Sequence, residues 1–252
     1  MKLKHLLLLS AVLAIFSSCS KDEDNDNSTP APTGSTPSTV PQLSDANGVM
    51  VAVKSITYTT TPVGSFPLPI GTAVAVFSDT AGSSTFVSAG TVECENNLLS
   101  KQSNNSYVFT PSATAPAGID FGSVNNPAWE VQGSGSIPSI SRATTSGFPS
   151  GIDSVSNGST INRSNDYTLA AAGNISNSDS VLFIVSGPSA TLSKTLTGNS
   201  SSCTFTAAEM GTIGAGSGIV QIVPYNIEST VTGNKKFYFV NEIVVSRTVT
   251  IN

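Results

Sequence analysis

The sequence predicts an all-β chain: two tandem β-sandwich domains behind a disordered tether. Three observations carry that expectation. Apolar residues alternate or run in short stretches, and no segment sustains a helical period. Turn-forming residues punctuate those stretches at close intervals. Gly133-Ser134-Gly135-Ser136 then divides the body into blocks 45–133 and 134–252.

In the first block, Val49 to Tyr58 reads as a strand whose apolar phase changes near Lys54-Ser55. Thr72 to Phe77 is apolar on both faces, the pattern of a central strand. Phe86 to Glu95 alternates, and Asn96-Asn97 offers a tight turn into Leu98 to Lys101. Asn104-Asn105 turns the chain into Tyr107-Val108-Phe109, and Pro127 to Val131 closes the block.

The second block holds about seven short strands with turn-rich spacing, which fits an immunoglobulin-like sandwich. They are Ile137 to Arg142, Tyr167 to Ala171, Val181 to Val185, Thr191 to Leu196, Cys203 to Thr206, Ile219 to Tyr225 and Phe237 to Ile251. Ala207 to Met210 reads as a single helical turn, and Asn241-Glu242 as a kink in the last strand. The alternative is one large two-sheet domain with the Gly-Ser segment as a loop.

Ahead of the body lies a leader, residues 1–18. Lys2 and Lys4 precede an apolar run from Leu6 to Phe16, too short to span a bilayer. Ser17-Ser18-Cys19 ends it, and Ser20-Lys21-Asp22-Glu23-Asp24 follows. The small-small-Cys ending resembles a bacterial lipobox. That resemblance implies cleavage before Cys19 and lipid on its sulfur. Lys21, Asp22 and Glu23 are similar to the surface-export signal of Bacteroidota lipoproteins, which implies an outer-membrane protein facing the cell exterior. Residues 19–44 are Ser, Thr, Pro, Asn and Asp with little to bury. As a coil they would span roughly 25–30 Å between membrane and body.

Composition narrows the function. Both basic residues of the leader, and none of the sixteen acids, leave with it, so the mature chain is more acidic than the whole chain's −5. With no basic stripe to neutralise phosphates, nucleic acid is not an expected partner. The one histidine, His5, lies in the leader. A mature chain without histidine lacks Ser-His-Asp and Cys-His activation and His-ligated metals. No catalytic residue, metal site or cofactor is expected. Cys94 and Cys203 are expected as buried free thiols, with a disulfide as the alternative.

Specific residues remain as candidates. Asp79-Thr80-Ala81, Asp153-Ser154-Val155 and Asp179-Ser180-Val181 each resemble the Bacteroidota O-glycosylation sequon, which implies glycans on Thr80, Ser154 and Ser180. Asp-Ser is also ordinary turn chemistry before a strand. Glu93 and Glu95 form the closest carboxylate pair of the body, on the strand face opposite Val92 and Cys94. A charged outer face is their expected role rather than glycosidase chemistry. Gly214 to Gly218 precedes a strand, so it cannot act as a phosphate cradle, which needs a following helix. Trp129 reads as core, with a sugar-stacking platform as its functional alternative, and Tyr238 as the outward member of Phe237-Tyr238-Phe239.

The chain as a whole resembles tethered β-sandwich lipoproteins of Bacteroidota. The role this implies is non-catalytic binding of a glycan or a protein. The alternatives are a structural or assembly subunit of the envelope and, behind it, a histidine-free hydrolase.

Overall fold

The computed structural model describes residues 43–61 and 64–252. The leader, Cys19 and Lys21-Asp22-Glu23 lie outside the described residues. The fold is all-β, as expected. Among the described residues, helix is confined to a 3-10 turn at Leu43–Asp45 and one short α-helix, α1 (Ala207–Met210). Thr206 caps α1 by accepting from the Glu209 N–H, while the Glu209 carboxylate takes the Thr206 N–H.

Among the described residues, sixteen strands follow one another. They are β1 (Gly48–Thr61), β2 (Gly64–Phe77), β3 (Val92–Cys94), β4 (Asn97–Leu98), β5 (Ser100–Lys101), β6 (Tyr107–Phe109), β7 (Ala128–Val131) and β8 (Ile140–Ala143). Then come β9 (Ser154–Val155), β10 (Thr160–Ile161), β11 (Tyr167–Ala172), β12 (Ser180–Ser186), β13 (Thr191–Thr197), β14 (Ser202–Phe205), β15 (Gly216–Thr232) and β16 (Lys235–Ile251). A nine-stranded sheet runs β13-β12-β15-β16-β1-β2-β6-β5, with β10 beside β16. Two small sheets, β14-β11-β9 and β4-β3-β7-β8, complete the set.

The large sheet takes strands from both sides of the Gly-Ser segment. β1 pairs with β16 in parallel, from Gly48↔Phe237 to Ile56↔Val245. The expected boundary between two tandem sandwiches is therefore not a break in the sheet. The Gly-Ser segment is the loop of a hairpin, since β7 and β8 are antiparallel neighbours with Val131 opposite Ile140. Gly133 (φ 84°) and Gly135 (φ 60°) supply the left-handed backbone, and Ser134 and Ile137 exchange hydrogen bonds of 2.9 and 3.0 Å. Nor does the second block close as an immunoglobulin-like sandwich by itself, because β12, β13, β15 and β16 share their sheet with β1 and β2.

Strand alternation sorts the core into two layers. On one face of the large sheet Met50, Ala52, Phe77, Phe183, Phe237 and Phe239 meet residues of both small sheets, among them Trp129, Val131, Leu169 and Phe205. On the other face Val49, Val51, Val53, Leu182, Ile184, Val223, Val240 and Val244 form a second cluster, joined by Leu43 and Ala46. The central strands are apolar on both faces because both are buried.

The longest element among the described residues is the β15–β16 hairpin, seventeen residues to a strand. Gly233 (φ 58°) and Asn234 (φ 62°) close it as a two-residue type I′ turn. Pro224 interrupts its ladder: pairing stops at Ile222↔Val245 and resumes in the same register at Tyr225↔Glu242. Proline has no N–H to donate there. β16 continues as strand through Asn241-Glu242, where a kink was expected. The tight turn after Cys94 sits one residue earlier than the sequence suggests. Glu95 (φ 49°) and Asn96 (φ 58°) are its central pair, with Cys94 opposite Asn97.

Candidate functional site

Trp129 lies on β7 and is wholly buried in the main core. The sugar-platform alternative is thereby corrected: strand parity turns the ring inward beside Cys94, its partner across β3. Cys94 and Cys203 are both free and buried, and burial pushes both thiols up from their ordinary value. Glu95 sits in the turn rather than on the strand face with Glu93. Its carboxylate accepts the Ala128 N–H at 2.6 Å, so the two acids do not form a pair on one face.

The three sequons land in different settings. Thr80 is exposed, in a loop directly after β2. Ser154 is half-buried on β9. Ser180 is only 5% exposed, at the start of β12 between Thr197 and Tyr225 on the flanking strands. Asp179, the sequon's acid, is also engaged, accepting the Ile227 N–H at 2.8 Å. Ser180 is thus no open glycan acceptor in the folded chain, and this expectation too is corrected.

Two candidates, Tyr238 and Thr80, fall at one surface cluster where the described chain begins. Tyr238 is half-buried on β16, and its hydroxyl donates to Asp45 Oδ1 at 2.8 Å. Lys236, two residues earlier on the same strand face, donates to Asp45 Oδ2 at 2.8 Å and stands 4.9 Å from the Tyr238 ring centre. Hydrogen bonds from Lys236 and Tyr238 hold the Asp45 carboxyl below its ordinary value. The bond that Lys236 donates to Asp45, and next its contact with Tyr238, push Lys236 up to about 12.

Asn47 links this latch to the Thr80 loop. Its amide donates to Asp79 O at 3.2 Å, and its Oδ1 accepts the Lys236 N–H at 3.1 Å. Lys235 Nζ donates to the same Asp79 carbonyl at 2.7 Å, and Ser136 Oγ donates to the Asp79 carboxylate. The cluster is a surface patch that gathers the half-buried Tyr238 ring, Lys235, Lys236 and the exposed Thr80. Sequence reasoning found Tyr238 and Thr80 singly. It missed Asp45, Asn47 and Lys236, whose partners are up to 193 residues away.

A second polar node, which the sequence did not reveal, lies farther along the hairpin. Glu228 Oε1 accepts from Arg142 Nε and Nη2 at 3.0 and 2.9 Å. Its Oε2 accepts the N–H groups of Thr145 and Ser146 at 2.7 and 3.0 Å and both their hydroxyls. Burial works to raise this carboxyl. The bonds from Thr145, Arg142 and Ser146 outweigh that and bring it from 4.5 to about 2. Beside it, Asn226 donates to the carbonyls of Ser146, Gly147 and Asn177 and accepts the Asp179 N–H. With every oxygen of Glu228 engaged, this node is built to hold the 144–148 loop on the hairpin.

Among the described residues, no group of three or more His, Cys, Asp and Glu is placed to hold a metal ion. Nor is any helix there long and apolar enough to cross a membrane. A scan against protein-family models finds no match to this chain, and a search of curated proteins finds none either.

Proposed function

We propose that this chain is a lipid-anchored outer-membrane protein that displays its all-β body outside the cell for non-catalytic binding of a glycan or a partner protein. The observation that carries the reading is the N-terminal sequence. A basic and apolar leader ends in Ser17-Ser18-Cys19, and Lys21-Asp22-Glu23 follows at once. Lipid on Cys19 and surface export by the acidic stretch belong to the same proposal.

The body supports a binding role in one further way. Its best-placed surface group is the Asp45–Lys236–Tyr238 patch, which contains exposed polar groups and an aromatic ring. Glycosylation is proposed for Thr80 and Ser154, the two sequons that are not buried.

Protease shaving of intact cells tests the reading, with Cys19→Ala as the control and intact-mass measurement of the released body. Release from wild-type cells, loss of membrane retention in Cys19→Ala and added mass on peptides holding Thr80 or Ser154 are expected. Protection on intact cells with cleavage only after outer-membrane permeabilisation would overturn surface display. A second reading, a structural or assembly subunit of the envelope, is favoured by the edge strand β13.

A further inference from the structure

Lys236 and Tyr238 stand two residues apart on β16, so their side chains leave one face of the strand together. Each donates to a different oxygen of one carboxylate. Tyr238 Oη binds Asp45 Oδ1 and Lys236 Nζ binds Asp45 Oδ2, both at 2.8 Å. One donor to each oxygen is the fork that suits a carboxylate, and a charged partner strengthens each bond. The fork lowers the Asp45 carboxyl from its ordinary value, so it favours the anion over the neutral acid.

The two donors are positioned by groups other than Asp45. Asn47 Oδ1 accepts the Lys236 N–H at 3.1 Å, and Tyr238 lies between Val49 on β1 and Ser229 on β15. The occupant is held less firmly. Asp45 is exposed, while its neighbours Leu43 and Ala46 are anchored in the apolar cluster beneath. Side-chain rotation alone therefore turns its carboxylate out to water and leaves the fork standing.

We infer that Lys236 and Tyr238 form a binding site for the carboxylate of an acidic sugar, and that Asp45 is the occupant such a ligand displaces. This rests on the reading that the body binds a glycan or a protein, and it names the class of ligand. Two observations favour a sugar acid over an acidic peptide. Leu43, Ala46 and Asn47 are buried beside the fork, so a second peptide main chain has no room along the first. A ring with one carboxylate has only to replace a side chain. The neighbouring Asp79 and Thr80 are both exposed, and they offer a carboxylate and a hydroxyl to ring hydroxyls. The same Asp79 carboxylate repels a peptide rich in acids.

The test uses the full chain carrying Cys19→Ala, with amide NMR titrations of methyl galacturonoside against methyl galactoside, which differs only in lacking the carboxylate. The galacturonoside should shift the amides of Lys236, Tyr238 and Ala46, and the galactoside should not. Clearing the site with Asp45→Ala should tighten binding about threefold to fivefold, since an exposed pair competes only weakly. Glu130→Gln, which removes one negative charge from the exposed side of β7, should leave it unchanged. In the Asp45→Ala chain, Lys236→Met should weaken binding about tenfold and Tyr238→Phe about threefold, with unchanged circular dichroism. If Lys236→Met does not fold, Tyr238→Phe, which keeps the ring, carries the comparison. No shift by the galacturonoside in Asp45→Ala, equal shifts by both sugars, equal tightening by Glu130→Gln, or binding indifferent to Tyr238→Phe would each overturn the inference. So would binding of a peptide copying residues 43–47 in place of the sugar acid, which would leave the wider binding reading in force. Protease shaving tests display separately, so either can fail without the other.

Discussion

Glu228 and Asp45 tie distant parts of the chain to the same long hairpin, in opposite settings. Glu228 has a side chain 12% exposed and takes donors on both oxygens, four of them from Thr145 and Ser146. Asp45 has a side chain 53% exposed and is held by Lys236 and Tyr238. Both carboxyls are held below their ordinary value. Water screens an exposed pair and competes for its hydrogen bonds, so an equal contact is worth less there. The difference between the nodes is therefore one of scope. Glu228 should act on the stability of the whole fold, and Asp45 only on the fit of the chain's first described residues to it.

Glu228→Gln tests the stronger side. The gap between 4.5 and about 2 corresponds to roughly 3 kcal/mol. The folded value is depressed, so this stabilisation is present in full above pH 4.5 and is lost as pH falls towards 2. Equilibrium urea unfolding should show Glu228→Gln less stable by about 2–3 kcal/mol at pH 7. The two stability curves should converge as pH falls from about 5 to 2. A constant offset across that range would mean that packing, not charge, sets the loss.

Asn226→Ala sharpens the comparison one step down. The side chain is neutral and 3% exposed, yet it satisfies three carbonyls and one N–H of two loops. Removing it strands buried main-chain groups at a cost of about 1–3 kcal/mol, with no pH dependence between 5 and 2. The variant's own stability should fall with pH in parallel with wild type's, since Glu228 remains. A loss that abolishes the pH dependence would show that Asn226 and Glu228 act as one coupled unit.

What the sequence made legible divides along the same line. Tyr107–Phe109 and the helical turn at Ala207–Met210 stand where they were expected, because their signals are local. For the helix that signal is a threonine cap with glutamate three residues on. The parallel pairing of β1 with β16 has no local signature, since it joins Gly48 to Phe237 across nearly the whole body. A Gly-Ser run looks alike in a linker and in a hairpin loop, so the division at Gly133 misled. The site residues follow suit. Tyr238 was visible by its alternation, but nothing near Glu228 in sequence announces Arg142, 86 positions away.

Asp45→Asn tests the weaker side and carries the smallest global effect. The urea midpoint should move by less than a quarter of the shift seen for Glu228→Gln, and high salt should erase what difference there is. The effect should instead be local. The 3-10 turn at Leu43–Asp45 is closed by the Ala46 N–H on Leu43 O, and Gly82 donates in turn to Ala46 O at 2.8 Å. Loosening the latch should speed amide hydrogen exchange at Ala46 and Gly82 while leaving β15 and β16 as protected as before, since local openings need not involve the global transition. Tyr238→Phe, which keeps the ring and the Lys236 ion pair, should speed the same amides less. Equal protection of Ala46 and Gly82 in wild type and Asp45→Asn would show that Leu43 and Ala46, through their burial beside Val49 and Val240, hold the junction without the carboxylate. The latch would then be a surface feature open to a ligand at no structural cost.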